Sequence, residues 1–188
     1  MQSVDRGYFF SYNRIMRTKG KQNVIALALK ILLPIVCLLW ITFILTNSLQ
    51  TGGESSAQSA SVVEMVQRVA QVIAPESTIA NATGDTYDKL HALVRACAHV
   101  MEFAVLGTLF GWCYFVYTRK WKWYFIPCLG VLLVAAVDEW LQTFVDGRAW
   151  ETMDLLLDGC GGVAGITFAA LSVVLGLLIY EKRMLKKE

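Results

Sequence analysis

Ala92–Tyr117 reads ALVRACAHVMEFAVLGTLFGWCYFVY, and its two halves ask for different surroundings. From Phe103 to Tyr117 no residue carries a charge. Ahead of that run, Arg95, His99 and Glu102 follow one another at spacings of four and three. A helix needs about 20 mostly apolar residues to cross a bilayer, so the stretch is long enough to span one and too long and uniformly apolar for a strand. The spacing sets the three polar residues on one helix face. Three other stretches have the same character: about Val24–Asn47, Trp123–Val145 and Met153–Tyr180. The fold expected is an all-α polytopic membrane protein, a bundle of four transmembrane helices.

Composition agrees. The chain has 188 residues, 56% of them apolar and 17% charged, against about 45–50% and 25% in soluble domains. This excludes a disordered protein, a basic nucleic-acid binder and a disulfide-stapled secreted module. The length allows one compact domain. Cys37, Cys97, Cys113, Cys128 and Cys160 lie in or beside apolar stretches and form no CxxC pair, which points to packing and not to disulfides or zinc. Val24–Asn47 is a poor cleaved leader: its apolar run exceeds the roughly 7–15 residues of a signal core, and a polar tail of 23 residues precedes it. The expected division is a basic tail over 1–23, a membrane domain over 24–180 and a second basic tail over 181–188.

Orientation follows from lysine and arginine. Arg6, Arg14, Arg17, Lys19 and Lys21 precede the first span. Arg119, Lys120 and Lys122 fill the second loop, and Lys182, Arg183, Lys186 and Lys187 close the chain. The opposite side holds Arg68, Lys89 and Arg148 outside the spans. Both termini are therefore expected in the cytoplasm, with Ser48–His91 and Asp146–Thr152 outside. Within the long loop, Thr51–Ser61 reads as a flexible Gly/Ser-rich link. Val62, Val66, Val69 and Ile73 then fall at helical spacing, predicting a short amphipathic helix on the outer membrane surface or against the bundle. Pro75–Gly84 reads as loop, with Asp85 or Thr86 as the next helix cap.

The intramembrane polar residues gather at one depth. Asp88, His91, Arg95, His99 and Glu102 form a stripe descending from the outer side. Asp138 and Gln142 are four apart, with Glu139 adjacent, and Asp138 lies seven residues before Val145, roughly 10 Å below the outer end. Asp154 and Asp158 begin the fourth span, Arg148 sits in the loop before them, and Ser48 and Gln50 close the first. A charge at the bilayer centre costs at least about 2.5–3.5 kcal/mol, so such groups face the interior and find partners. Two readings stand: a polar network locking the helices at a hydrated rim, or an outward-open cavity for a substrate or ion. For Asp154 a favourable charge at a helix start is the plainer account. Gly159, Gly161, Gly162 and Gly165 suit close helix packing. Trp40, Trp112, Trp121, Trp123, Trp140 and Trp150 read as interface anchors.

The segments Arg95-Ala-Cys-Ala-His99-Val-Met-Glu102-Phe, Asp138-Glu139-Trp-Leu-Gln142 through Arg148, and Asp154-Leu-Leu-Leu-Asp158-Gly-Cys-Gly-Gly resemble the VanZ-like family in order and spacing. Asn47-Ser48-Leu-Gln50 resembles its Ser/Gln turn, and the resemblance covers roughly 40–171. Ala96 and Asp158 depart from the lysine and asparagine common in the family. The resemblance implies a bacterial cytoplasmic-membrane protein associated with resistance to the lipoglycopeptide teicoplanin.

Three classes of function are open. An envelope protein would bind a membrane lipid, a lipid-linked cell-wall component or the lipoglycopeptide without chemistry. A membrane hydrolase or transferase would use His99, Glu102, Asp138, Glu139 and Asp158 as acid/base groups, with Arg95, Gln142, Arg148 and Asp154 binding substrate. A small proton- or ion-coupled carrier is the third. His99 and Glu102, one turn apart, could form a metal half-site or an oriented general base; a divalent metal is left open and not favoured, and a homo-oligomer is left open.

Overall fold

The computed structural model describes residues 21–118 and 123–185. The basic residues expected at Arg6, Arg14, Arg17, Lys19, Arg119, Lys120, Lys122, Lys186 and Lys187, and Trp121, lie outside them. The described chain is five helices: α1 (Lys21–Ser48), α2 (Gly52–Ile73), α3 (Asp85–Tyr117), α4 (Ile126–Gln142) and α5 (Thr152–Leu185). Three of them, α1, α3 and α5, are long and apolar enough to cross a membrane. α4 has 17 residues, starting with Pro127 in its first turn, and rises about 26 Å, near the lower limit for a span.

α3 is the centre of the bundle. It touches all four other helices, and its contact with α5 is the most extensive. The core between them is Ile44, Phe103, Leu106, Val131, Ala135 and Ile166, with Trp40, Ile41 and Phe110 packed against it. Outward the helices stay apolar: Leu38 and Leu39 on α1, Leu133 on α4 and Leu171 on α5 are all exposed. That inverts the usual soluble pattern and matches hydrocarbon surroundings.

Lipid supplies no hydrophobic drive for helices to associate, so close backbone approach must. Gly161 and Gly165 of α5 lie against the backbone of Val100 and Ala104, and Gly107 of α3 lies against Gly162. A single added carbon at any of these would strike backbone. Gly159 is different: only the end of Leu132 comes near it.

α1 is pinned by polar contacts. Pro34 lies inside it and has no N–H to give the carbonyl of Lys30 one turn earlier. The Tyr117 hydroxyl at the end of α3 donates to that carbonyl. The Trp40 indole donates to the Glu102 carbonyl at 2.9 Å, and the Trp112 indole to Ser172 at 2.9 Å. These two tryptophans tie neighbouring helices together through their indole N–H groups, each of which has found an acceptor. Trp123, Trp140 and Trp150 are exposed. Cys37 and Cys113 meet as thiols across α1 and α3, 3.5 Å apart.

The expected flexible link at Thr51–Ser61 is instead helix. Thr51 caps α2 and Glu54 completes a capping box. The Glu54 carboxylate accepts from the Thr51 N–H and hydroxyl, each at 2.9 Å, while the Glu54 N–H donates to Thr51 at 3.3 Å. The signal T-x-x-E outweighs the glycines that follow the cap. α2 lies along the bundle through Val63, which is fully buried. Gln67 and Gln71 donate to the carbonyls of Ala82 and Ala80 in the following loop, at 2.9 and 3.2 Å. α3 begins at Asp85, seven residues before the expected span, and its cap is Gly84, without a side-chain bond. Asp85 pairs instead with Lys89 at 2.6 Å.

Two outcomes follow. The hydrogen bonds from Thr51, its backbone N–H first, hold the Glu54 carboxyl below its ordinary 4.5. Its contribution to α2 is complete above that pH and is lost as pH falls through the lower, folded value. Amide-exchange protection at Glu54 and Ser55, measured against the intrinsic rate at each pH, falls on acidification below pH 4.5, and E54Q abolishes that acid-dependent step. Separately, Gly107→Val lowers stability in detergent by about 1–3 kcal/mol through overpacking. Gly176→Ala, with nothing within 4 Å, leaves the melting curve in place.

Candidate functional site

Burial of charge begins where α1, α3, α4 and α5 converge. Asp138, Glu139, Gln142, Asp154 and Asp158 are all buried, with Glu139 and Asp158 at 0% exposure. Ionised groups taken out of water must be hydrogen-bonded or paired. Each helix supplies part of the answer.

α4 brings two adjacent carboxylates. Gln142, one turn on, donates to Asp138 at 3.0 Å and to Glu139 at 3.2 Å. Ser48, the last residue of α1, donates to the other Asp138 oxygen. The second Glu139 oxygen accepts the Glu151 N–H at 2.9 Å. That N–H lies just ahead of α5, where helix donors have no partner within the helix. Glu139 therefore closes a helix start and lies off the cavity wall.

α3 and α5 meet through His99. Its Nδ1 lies 3.0 Å from Asp158 Oδ1, and its Nε2 lies 3.5 Å from Asp154. Both ring nitrogens thus face a carboxylate, so the ring is held from two sides. Asp154 also accepts from Arg95 at 3.3 Å. It is a buried member of the cluster, which goes beyond the helix-start charge expected of it. The second Asp158 oxygen is buried and has no hydrogen-bond partner. Such an orphan typically costs about 1–3 kcal/mol.

A cavity of about 170 Å³ opens beside this cluster. Arg95, His99 and Glu102 of α3 line one wall, and Asp138, Gln142 and Arg148 another. Asn47, Ser48 and Gln50 at the end of α1 complete the wall, and Ser55, Gln58, Ser59 and Val62 of α2 form the roof. Asp158 and Asp154 stand behind His99. The Glu102 carboxylate accepts from Asn47 at 3.0 Å, which ties it to α1. One atom each of His99, Asp138 and Asp158 lies within 4.8 Å of the others, a set that can hold a metal ion. His91, also on the expected stripe, leaves the cluster and contacts the Ser56 carbonyl at 3.0 Å, joining α3 to α2.

Arg148 sits in the turn between α4 and α5. Its Nη1 donates to the Ser48 carbonyl at 3.3 Å, while its buried Nε has no acceptor. Burial, and then the charge of Arg95, push its pKa below the ordinary guanidinium value. Two guanidinium groups thus border one cavity, together with the carboxylates of Glu102 and Asp138. Gly147, with φ of 74°, turns the backbone into this loop and lets Gly52 approach, whose N–H donates to Asp146 at 3.1 Å. In the sequence, glycines and serines hide the α2 roof, and the capping box at Thr51 and Glu54 is the signal that marks it as helix. Ser55, Ser59 and Val62 recur at spacings of four and three, a helical face that the box would have exposed.

No curated protein and no solved structure matches the chain. The family model described as VanZ/LLP1 matches residues 33–176, which contain α2, α3, α4 and every cavity residue, so the chain belongs to the VanZ/LLP1 family.

Proposed function

We propose that this protein is a four-span bacterial envelope protein whose cavity holds the phosphate-bearing head group of a membrane lipid or lipid-linked cell-wall component. In this reading, lowered susceptibility to glycopeptides such as teicoplanin is a consequence at the level of the envelope. The single observation that carries it is that Arg95 and Arg148 border the same cavity from two of its walls, with the Arg148 Nε left without an acceptor. Phosphate and carboxylate are the groups that a guanidinium fork fits best.

Orientation follows the lysine and arginine bias, with both termini in the cytoplasm and the cavity at the outer leaflet. α4 serves as the fourth span. α2 is the extracytoplasmic helix: Met65, Val69, Val72 and Ile73 form an exposed apolar row, suited to lie among lipid head groups. A carrier finds less support. The layer beneath the cluster is Phe103, Leu106, Val131 and Ile166, with no polar route across it among the described residues.

A second reading rests on His99. Its ring is oriented by Asp158 at 3.0 Å and borders the cavity, the arrangement of a general base held by a carboxylate. This favours a hydrolase or transferase acting on the bound head group, with Arg95, Arg148 and Gln142 holding substrate, Asp138 and Glu102 at its edge, and Asp154, Asp158 and Glu139 positioning.

Native mass spectrometry of the protein with host lipid extract tests the first reading. R95Q combined with R148Q is expected to lower retention of anionic lipid about tenfold or more, given ~1.5–3 kcal/mol per hydrogen bond to a charged group. Teicoplanin resistance should fall with it. Unchanged lipid retention in the folded double variant overturns the reading. For the enzyme, purified protein should convert a lipid species and H99A should not. No conversion with magnesium, manganese or zinc present removes the second reading and leaves the first.

A further inference from the structure

Ionised in full, the cluster would carry more negative charge than the protein neutralises. Glu102, Asp138, Glu139, Asp154 and Asp158 face Arg95, Arg148 and His99. Even with a protonated imidazole, five carboxylates exceed three cations by two charges. Neutral donors from Ser48, Gln142 and Asn47 orient some of these oxygens but add no charge. The imbalance is sharpest at Asp158, which is 0% exposed and has one oxygen without a partner.

We propose that His99, Asp138 and Asp158 together hold a divalent first-row metal ion, manganese or zinc. Each ligand comes from a different helix: α3, α4 and α5. One atom from each already lies within 4.8 Å of the others, and bonds of about 2.0–2.2 Å to a shared ion draw them slightly closer. With His99 bound as a neutral ring the excess is three charges, of which the ion offsets two, and Asp158, whose second oxygen has no partner, gains a bond to the ion. An imidazole with two carboxylates suits zinc or manganese better than calcium, which prefers oxygen alone. Outer contacts of the kind that orient metal ligands are present: Ser48 and Gln142 hold Asp138, and Asp154 stands 3.5 Å from the His99 Nε2. His99 and Asp138 border the cavity, so coordination positions remain open toward it. The ion is beside the two arginines and does not depend on the head-group reading.

The test uses the full chain purified in detergent, stripped with chelator and loaded with manganese or zinc. Metal analysis is expected to give about one ion per chain. Spin-echo spectroscopy of the manganese form is expected to show coupling to one imidazole nitrogen. D158N, D138N and H99Q each lower occupancy tenfold or more. E102Q, R95Q and R148Q keep the metal, which separates this site from the His99–Glu102 half-site and from the arginine pair. No metal above the detergent blank overturns the proposal, as does metal retained by folded D158N or H99Q. Should those variants not fold, the wild-type spectrum decides: bound manganese without imidazole coupling overturns it, and coupling supports it.

Discussion

Keeping Asp138, Glu139 and Asp158 dry is the constraint on which the bundle depends. None of the three is solvated, and none lies on the same helix as all its partners. Asp138 needs Ser48 from α1, Asp158 needs His99 from α3, and Glu139 needs the Glu151 N–H from the turn before α5. Taking away α1 or α3 would leave a buried carboxylate short of a donor, which costs far more than losing an exposed ion pair. Exposed pairs such as Lys89–Asp85 contribute little by comparison.

The glycines make this arrangement geometrically accessible. His99 and Asp158 side chains are short, and they reach one another at 3.0 Å only because α3 and α5 approach closely. The Val100–Gly161, Ala104–Gly165 and Gly107–Gly162 contacts lie just below that pair. Packing and polar chemistry are therefore not separate layers. A larger residue at Gly161 would push apart the backbones that deliver His99 and Asp158.

Much of this was legible beforehand. The four apolar stretches, the stripe through Arg95, His99 and Glu102, and the order of the carboxylates were all visible as periodicity and spacing. What periodicity gives is a face, not a partner. It could not say that Glu102 would turn to Asn47, that Glu139 would close a helix start, or that His91 would leave the stripe for Ser56. Those outcomes depend on which neighbouring helix arrives at which height. The helix over 52–73 was obscured for another reason: its glycines and serines have weak helix propensity, and the cap at Thr51 with the contacts of Val63 and Gln67 overrides it.

The proline in α1 has a consequence for how that helix is seated. A smooth apolar rod in hydrocarbon can slide along its neighbours with little change in energy, because one methyl replaces another. α1 is fastened at three heights: Lys30 to Tyr117, Trp40 to the Glu102 carbonyl, and Asn47 to the Glu102 carboxylate. The lowest fastening exists because Pro34 frees a carbonyl to receive it. Without that notch, the vertical setting of the rod would be left to its upper end, and the serine that reaches Asp138 would lose its gauge.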